Sequence, residues 1–125
     1  MGIIKQKVKL LREKDKPVEV KAMFDSGADT SLITESLRKR LNYPNMGRTK
    51  IFLGDGHFIH GIITVGMIGI WGENYIIKLI AVSSLGRDKM VIGVDFLQLH
   101  KRTLNFEKDK VTSTKKKLDY DGYRL

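Results

Sequence analysis

Apolar residues in this chain come in short runs rich in isoleucine and valine, and nearly every run is closed by glycine, proline, asparagine or aspartate. Strands of about four to eight residues between turns give this pattern, whereas a helix needs an apolar stripe sustained over roughly ten or more. Lys7-Val8-Lys9-Leu10 alternates charged and apolar residues at strand period. Glu13-Lys14-Asp15-Lys16-Pro17 is a turn, and Val18 to Phe24 is the returning strand, running straight into Asp25-Ser26-Gly27. Thr34 can cap a short helix through Leu41, with Leu37 and Leu41 on one face and Pro44 blocking continuation. Ile51-Phe52-Leu53 and Phe58-Ile59 flank Gly54-Asp55-Gly56, a hairpin with an Asp-Gly tip. Thr64 to Trp71 and Tyr75 to Val82 are two strands around a Gly72-Glu73-Asn74 turn. Met90-Val91-Ile92 is a strand closed by Gly93, Val94 to His100 a short helix, and Leu104-Asn105-Phe106 and Val111 the final strands. The expected fold class is all-β with one or two short helices.

At 125 residues the chain suits one domain and not two. We expect the domain to occupy residues 1–112 and a polar, basic tail residues 113–125, with Leu118 and Tyr120 as its anchors. A core of this size leaves little wall for a deep cleft, so a site that needs more wall has to lie between subunits. Cysteine is absent, which excludes thiol nucleophiles, cysteine-held zinc and disulfides, and fits a reducing, cytoplasmic location. The N-terminus lacks the apolar core of a leader peptide. Ile62 to Ile70, the most apolar stretch, is interrupted by Gly66 and Gly69 and falls far short of the roughly 20 residues of a membrane span. A membrane is not expected as a partner.

The net charge of +9 invites a nucleic-acid reading. The basic residues are spread along the chain, however, and only Arg38-Lys39-Arg40 and Lys115-Lys116-Lys117 form runs. A basic nucleic-acid-binding barrel would lose affinity steeply with salt, and it gives no reason for an Asp-Ser-Gly turn. Nucleic acid is not expected as a partner.

The informative segment is Ala22-Met23-Phe24-Asp25-Ser26-Gly27-Ala28-Asp29-Thr30-Ser31-Leu32-Ile33. Three apolar residues deliver a carboxylate to a tight turn. Alone, Asp followed by Ser or Thr and then Gly arises by chance in roughly one chain of this length in twenty. A plain Asx turn, in which Asp25 bonds backbone amides, explains it equally well. The second half of the pattern adds weight: Met90-Val91-Ile92-Gly93 and then Val94-Asp95-Phe96-Leu97 follow some sixty-five residues later, with the glycine-tipped hairpin between. These features, in this order, resemble the retropepsins, the single-domain aspartic proteases of retroviruses, retroelements and some cellular proteins. The resemblance covers about residues 4–112.

The resemblance implies a closed β-barrel subunit and a homodimer. Chemistry points to the same assembly. Hydrolysing a peptide without a metal or a nucleophilic side chain takes one carboxylate to accept a proton from water and a second to donate one to the carbonyl oxygen. Two adjacent carboxyls share one proton, because both cannot easily ionise. A chain with one Asp-Ser-Gly supplies both roles only as a C2 dimer with two Asp25 side by side. Neither a cofactor nor a metal is called for.

Further roles follow from the family. Ser26 would bond across the dyad to the partner's turn, and the Gly27 carbonyl would receive a substrate amide. Ala28 carries no hydroxyl to bond Asp25, which predicts a mildly acidic optimum rather than one below about pH 3. Asp29 would contact substrate backbone, but the family's arginine just after the second glycine is replaced by Val94, with Asp95 next, so pairing with another basic residue or a pure turn role is the alternative. Gly54, Asp55 and Gly56 would form the tip of a flap that folds over bound peptide; an ordinary hairpin turn, or a tip nearer His57 to Gly61, is the alternative. His57 and His60 lie three apart, on opposite sides of a strand, with no third ligand nearby. Trp71, at a turn, reads as a partly buried packing residue.

The sequence therefore predicts an aspartic endopeptidase acting on an extended peptide or polyprotein, with apolar residues on both sides of the cut. The alternative is a catalytically idle module that has kept the fold for binding or dimerisation.

Overall fold

The computed structural model describes residues 3–52, 55–105 and 110–113. In β1 (Ile3–Leu10) the alternating sequence becomes two faces: Ile4, Val8 and Leu10 are buried, whereas Lys5, Lys7 and Lys9 are exposed. β2 (Val18–Asp25) returns antiparallel to it, with Val8 opposite Val20 and Ile3 opposite Asp25. The chain continues through β3 (Leu32–Thr34), α1 (Glu35–Leu41), β4 (Arg48–Phe52), β5 (Phe58–Ile70), β6 (Glu73–Val82), β7 (Met90–Ile92), α2 (Val94–Leu99), β8 (Arg102–Asn105) and β9 (Lys110–Ser113). Six strands close into a barrel in the order β1-β2-β7-β3-β6-β5, because β5 pairs with β6 and also with β1 at Lys9–Gly69 and Leu10–Ile68. β4 extends the sheet beyond β5, and β8 and β9 form a separate ribbon. Among the described residues no helix is long and apolar enough to cross a membrane.

The insertion of β7 between β2 and β3 places the site. β7 runs parallel to β2, with Met23 opposite Val91 and Phe24 opposite Ile92. Both strands therefore end at one edge of the barrel, and the turn after Asp25 meets the glycine after Ile92. Phe24, Ile33, Met90 and Ile92, on the strands flanking these turns, are fully buried. Burial of each such side chain is worth roughly 1.5–3 kcal/mol, so the strands that carry the site also carry the core.

Local rules explain α1. Thr34 Oγ1 accepts the Leu37 N–H at 3.4 Å, Leu37 and Leu41 are buried, and Asn42 takes the left-handed conformation that ends the helix before Pro44.

Three expectations need correction. The runs Phe58-Ile59 and Thr64 to Trp71 belong to one continuous strand, β5, whose residues pair with β4 and then with β6. Its glycines are packing positions and not breaks: a Cβ on Gly66 would collide with the Tyr43 ring, and one on Gly61 with Ile80 Cγ2. The turn expected at Gly72-Glu73-Asn74 is the two-residue turn Trp71-Gly72, closed by Ile70 opposite Glu73, so β6 begins at Glu73. Both turn residues have positive φ, 55° and 76°, the primed geometry that matches strand twist. The last strands begin earlier than expected, at Arg102 and Lys110, with Leu104 opposite Val111. Leu53, Gly54, Phe106 and the tail anchors Leu118 and Tyr120 lie outside the described residues.

Candidate active site

Asp25 is the last residue of β2 and is half-buried, while Ser26, Gly27 and Asp29 behind it are exposed. The Gly27 N–H donates to Asp25 Oδ1 at 2.8 Å, and the Ala28 N–H donates to the Asp25 carbonyl at 3.1 Å. The carboxylate thus shapes its own turn, as an Asx turn does.

The turn is held from the other side by the start of α2. The Val94 N–H donates to the Ala28 carbonyl at 2.8 Å. Gly93 lies so close that a Cβ there would be 2.5 Å from the Ala28 oxygen and 3.0 Å from the Thr30 oxygen. Ser31, fully buried at the end of the segment, accepts the Gly93 N–H on Oγ at 3.0 Å. Its hydroxyl donates to Asp95 Oδ1 at 2.7 Å, and its N–H donates to Asp95 Oδ2 at 3.2 Å. Asp95 Oδ1 also accepts the Phe96 N–H at 2.8 Å. The sequence reading missed both Ser31 and Asp95. The signal available was an acid two residues after the second glycine, facing a hydroxyl six residues after Asp25.

Val94 stands where the family resemblance implies an arginine. Asp29 is exposed and makes no side-chain hydrogen bond or ion pair among the described residues. Underneath, Trp71 is half-buried as expected and packs the floor of α2, its ring stacked 6.0 Å from Phe96 and tilted 6.4 Å from Phe24, with the Arg102 guanidinium 4.1 Å over it.

Of the hairpin residues, Asp55 and Gly56 lie in the connection between β4 and β5, and Gly54 lies outside the described residues. The connection is closed by Phe52 opposite Phe58, so His60 and Gly61 belong to the strand and not to the tip. Asp55 accepts the His57 N–H at 3.0 Å and lies 3.0 Å from His57 Nδ1, and this hydrogen bond holds the Asp55 carboxyl below the usual carboxylate range. Phe52 is 72% exposed and Phe58 44%, their rings 6.0 Å apart, with Lys50 Nζ 4.5 Å over Phe58. The Asp55 carboxylate bonds within its own hairpin, to His57.

One chain therefore presents one carboxylate at an open barrel edge. A concavity of about 870 Å³ between the Leu11 to Asp15 loop, Tyr43 and Met67 includes no residue of the 25–31 or 90–95 segments, so it is separate from this chemistry.

No family model matches the chain, and no curated protein sequence does. Solved structures do. The retroviral protease-like domain of Ddi1 from Leishmania major is similar with a TM-score of 0.61 and 17% identity, over 91% of this chain and 86% of that one. EIAV protease complexed with the inhibitor HBY-793 gives a TM-score of 0.56 and 24% identity, over 78% of this chain and 86% of that one. The Simian Foamy Virus (mac) protease gives 0.54 and 15%, over 82% of this chain and all, 100%, of that one. These likenesses are of fold: the barrel is retropepsin-like.

Proposed function

We propose that this retropepsin-like barrel is half of an aspartic endopeptidase, in which two identical chains bring their Asp25 carboxylates together. One observation carries the reading. The single Asp-Ser-Gly of the chain holds its carboxylate half-buried at the barrel edge where β2 and β7 end together, in a turn fixed from both sides.

In such a pair one proton is shared. As water adds to the scissile carbonyl carbon, the ionised carboxylate takes its proton and the protonated one gives its proton to the carbonyl oxygen. The gem-diol then collapses: one hydroxyl returns a proton to the dyad, the C–N bond breaks, and the leaving nitrogen takes a proton from the other carboxyl. The dyad ends with one proton, as it began. Ser26 would bond to the partner's turn, and the Gly27 carbonyl and Asp29 would hold the substrate backbone. The hairpin carrying Gly54, Asp55 and Gly56 would close over the peptide as a flap, and its exposed Phe52 and Phe58 suit an extended, apolar substrate. Two flaps admit only an unfolded segment, which favours limited processing of a polyprotein or of one partner.

The test is cleavage of a diverse peptide library by wild type and by Asp25→Asn. Turnover abolished with folding and dimerisation retained supports the protease. Equal turnover in both contradicts it.

Two observations favour a second reading, an idle binding or dimerisation module. Asp25 already serves its own turn through Gly27, and Asp29 lacks the family's arginine. A dimeric wild type that cleaves no peptide in the library would favour it.

A further inference from the structure

Ser31 and Asp95 stand 64 residues apart in sequence and join the two segments that frame Asp25. Asp95 accepts three hydrogen bonds, from the Ser31 hydroxyl, the Ser31 N–H and the Phe96 N–H. Because the hydroxyl proton is committed to Asp95, the Ser31 oxygen is free to accept the Gly93 N–H. The directions are therefore set around the whole ring: Gly93 gives to Ser31, and Ser31 gives to Asp95. Ser31 is fully buried, so water does not compete for the Gly93 bond, while Asp95 itself is exposed and reaches in to Ser31 from the rim. From this anchor the chain runs back through Ala28, itself held by Val94, to the turn that Asp25 closes on Gly27.

Resting on the protease reading above, we propose that Asp95 is a positioning residue for Asp25, acting through Ser31. Val94 leaves no cation to hold the loop through Asp29, and the side-chain anchor between the two segments is the Ser31–Asp95 pair. An acid clamps a buried hydroxyl between the two segments. The consequence is a division of labour: Asp29 is left to the substrate, and Asp95 fixes the height and tilt of the Asp25 turn against α2.

The test compares peptide cleavage by wild type, Asp95→Ala, Ser31→Ala, the double variant and the isosteric Asp95→Asn. Competent sites are counted by titration with a peptide bearing a hydroxyl in place of the scissile carbonyl. A misplaced carboxylate lowers turnover without altering the substrate's own contacts, so each alanine variant should lose about a hundredfold in kcat per titrated site while KM stays within about threefold. The double variant should be no worse than either single one, because both break one link. Asp95→Asn keeps one acceptor and should lose about tenfold; it also carries the test if the alanine variants do not fold. Wild-type kcat in Asp95→Ala, or in Asp95→Asn where that carries the test, or losses that multiply in the double variant, overturn the inference while leaving the protease standing. A wild type that cleaves nothing overturns the protease reading, and the inference with it.

Discussion

Gly93 and Ala28 pack so closely that a single methyl group does not fit between them: a Cβ on Gly93 would come 2.5 Å from the Ala28 carbonyl oxygen. The two halves of the sequence pattern are thus one object in space. The second glycine lets α2 dock onto the loop that Asp25 begins.

Replacing Gly93 by alanine measures that contact. Its φ of −98° and ψ of −174° suit any residue, so the cost reports crowding and not backbone strain. The atoms in the way are backbone, of Ala28 and Thr30, and cannot swing aside. We expect Gly93→Ala to lower stability by about 2 kcal/mol in urea unfolding. A change below about 0.5 kcal/mol, the range of ordinary surface substitutions, would show that the junction is looser.

Tyr43, a buried member of the core, staples the Leu11 segment to β5. Its hydroxyl donates to the Leu11 carbonyl at 2.8 Å, lies 3.2 Å from the Met67 carbonyl, and accepts the Met67 N–H at 3.4 Å, where Gly66 leaves room for the ring. Tyr43→Phe keeps the ring and removes these bonds, so it should cost about 1–2 kcal/mol in the same unfolding assay. An unchanged urea midpoint would mean that water replaces the hydroxyl without loss.

The Glu35–Arg38 pair makes part of the stability depend on pH. The Arg38 guanidinium, whose Nη2 donates to Glu35 Oε2 at 2.7 Å, holds the Glu35 carboxyl below its ordinary value of 4.5. A carboxyl depressed in the folded state stabilises the fold above its unfolded pKa, and that contribution is lost as pH falls through the folded value. Glu35→Gln should therefore be less stable than wild type by about 1 kcal/mol at pH 7, with the difference shrinking below pH 4.5. Urea unfolding at pH 7 and pH 3 checks this; an equal gap at both would contradict it.

Local signals made much of the fold legible. The alternation in β1, the Thr34 cap and the Val18 to Phe24 run each name their structure from neighbours in sequence, and the fold contains all three. The glycines of β5 misled, because their reason is a Tyr43 ring or an Ile80 methyl brought in from elsewhere, which no local pattern announces. The sequence sets Trp71 beside the turn and not inside it, since a bulky residue rarely takes positive φ; here Phe24, Tyr75 and Phe96 pack around its ring. At the site, Asp25 and Gly93 stood out by type and order. Ser31 and Asp95 did not: a serine and an aspartate 64 residues apart become partners only once β7 is threaded between β2 and β3.

The central claim is that two chains each contribute one carboxylate to one site, and mixing measures it directly. Wild type and Asp25→Asn are combined in equal amounts at constant total protein, allowed to exchange subunits, and assayed for peptide cleavage. If both Asp25 residues are needed in one dimer, random pairing leaves about one quarter of the wild-type rate. A rate of about one half would mean that each chain works alone, and would contradict the shared dyad.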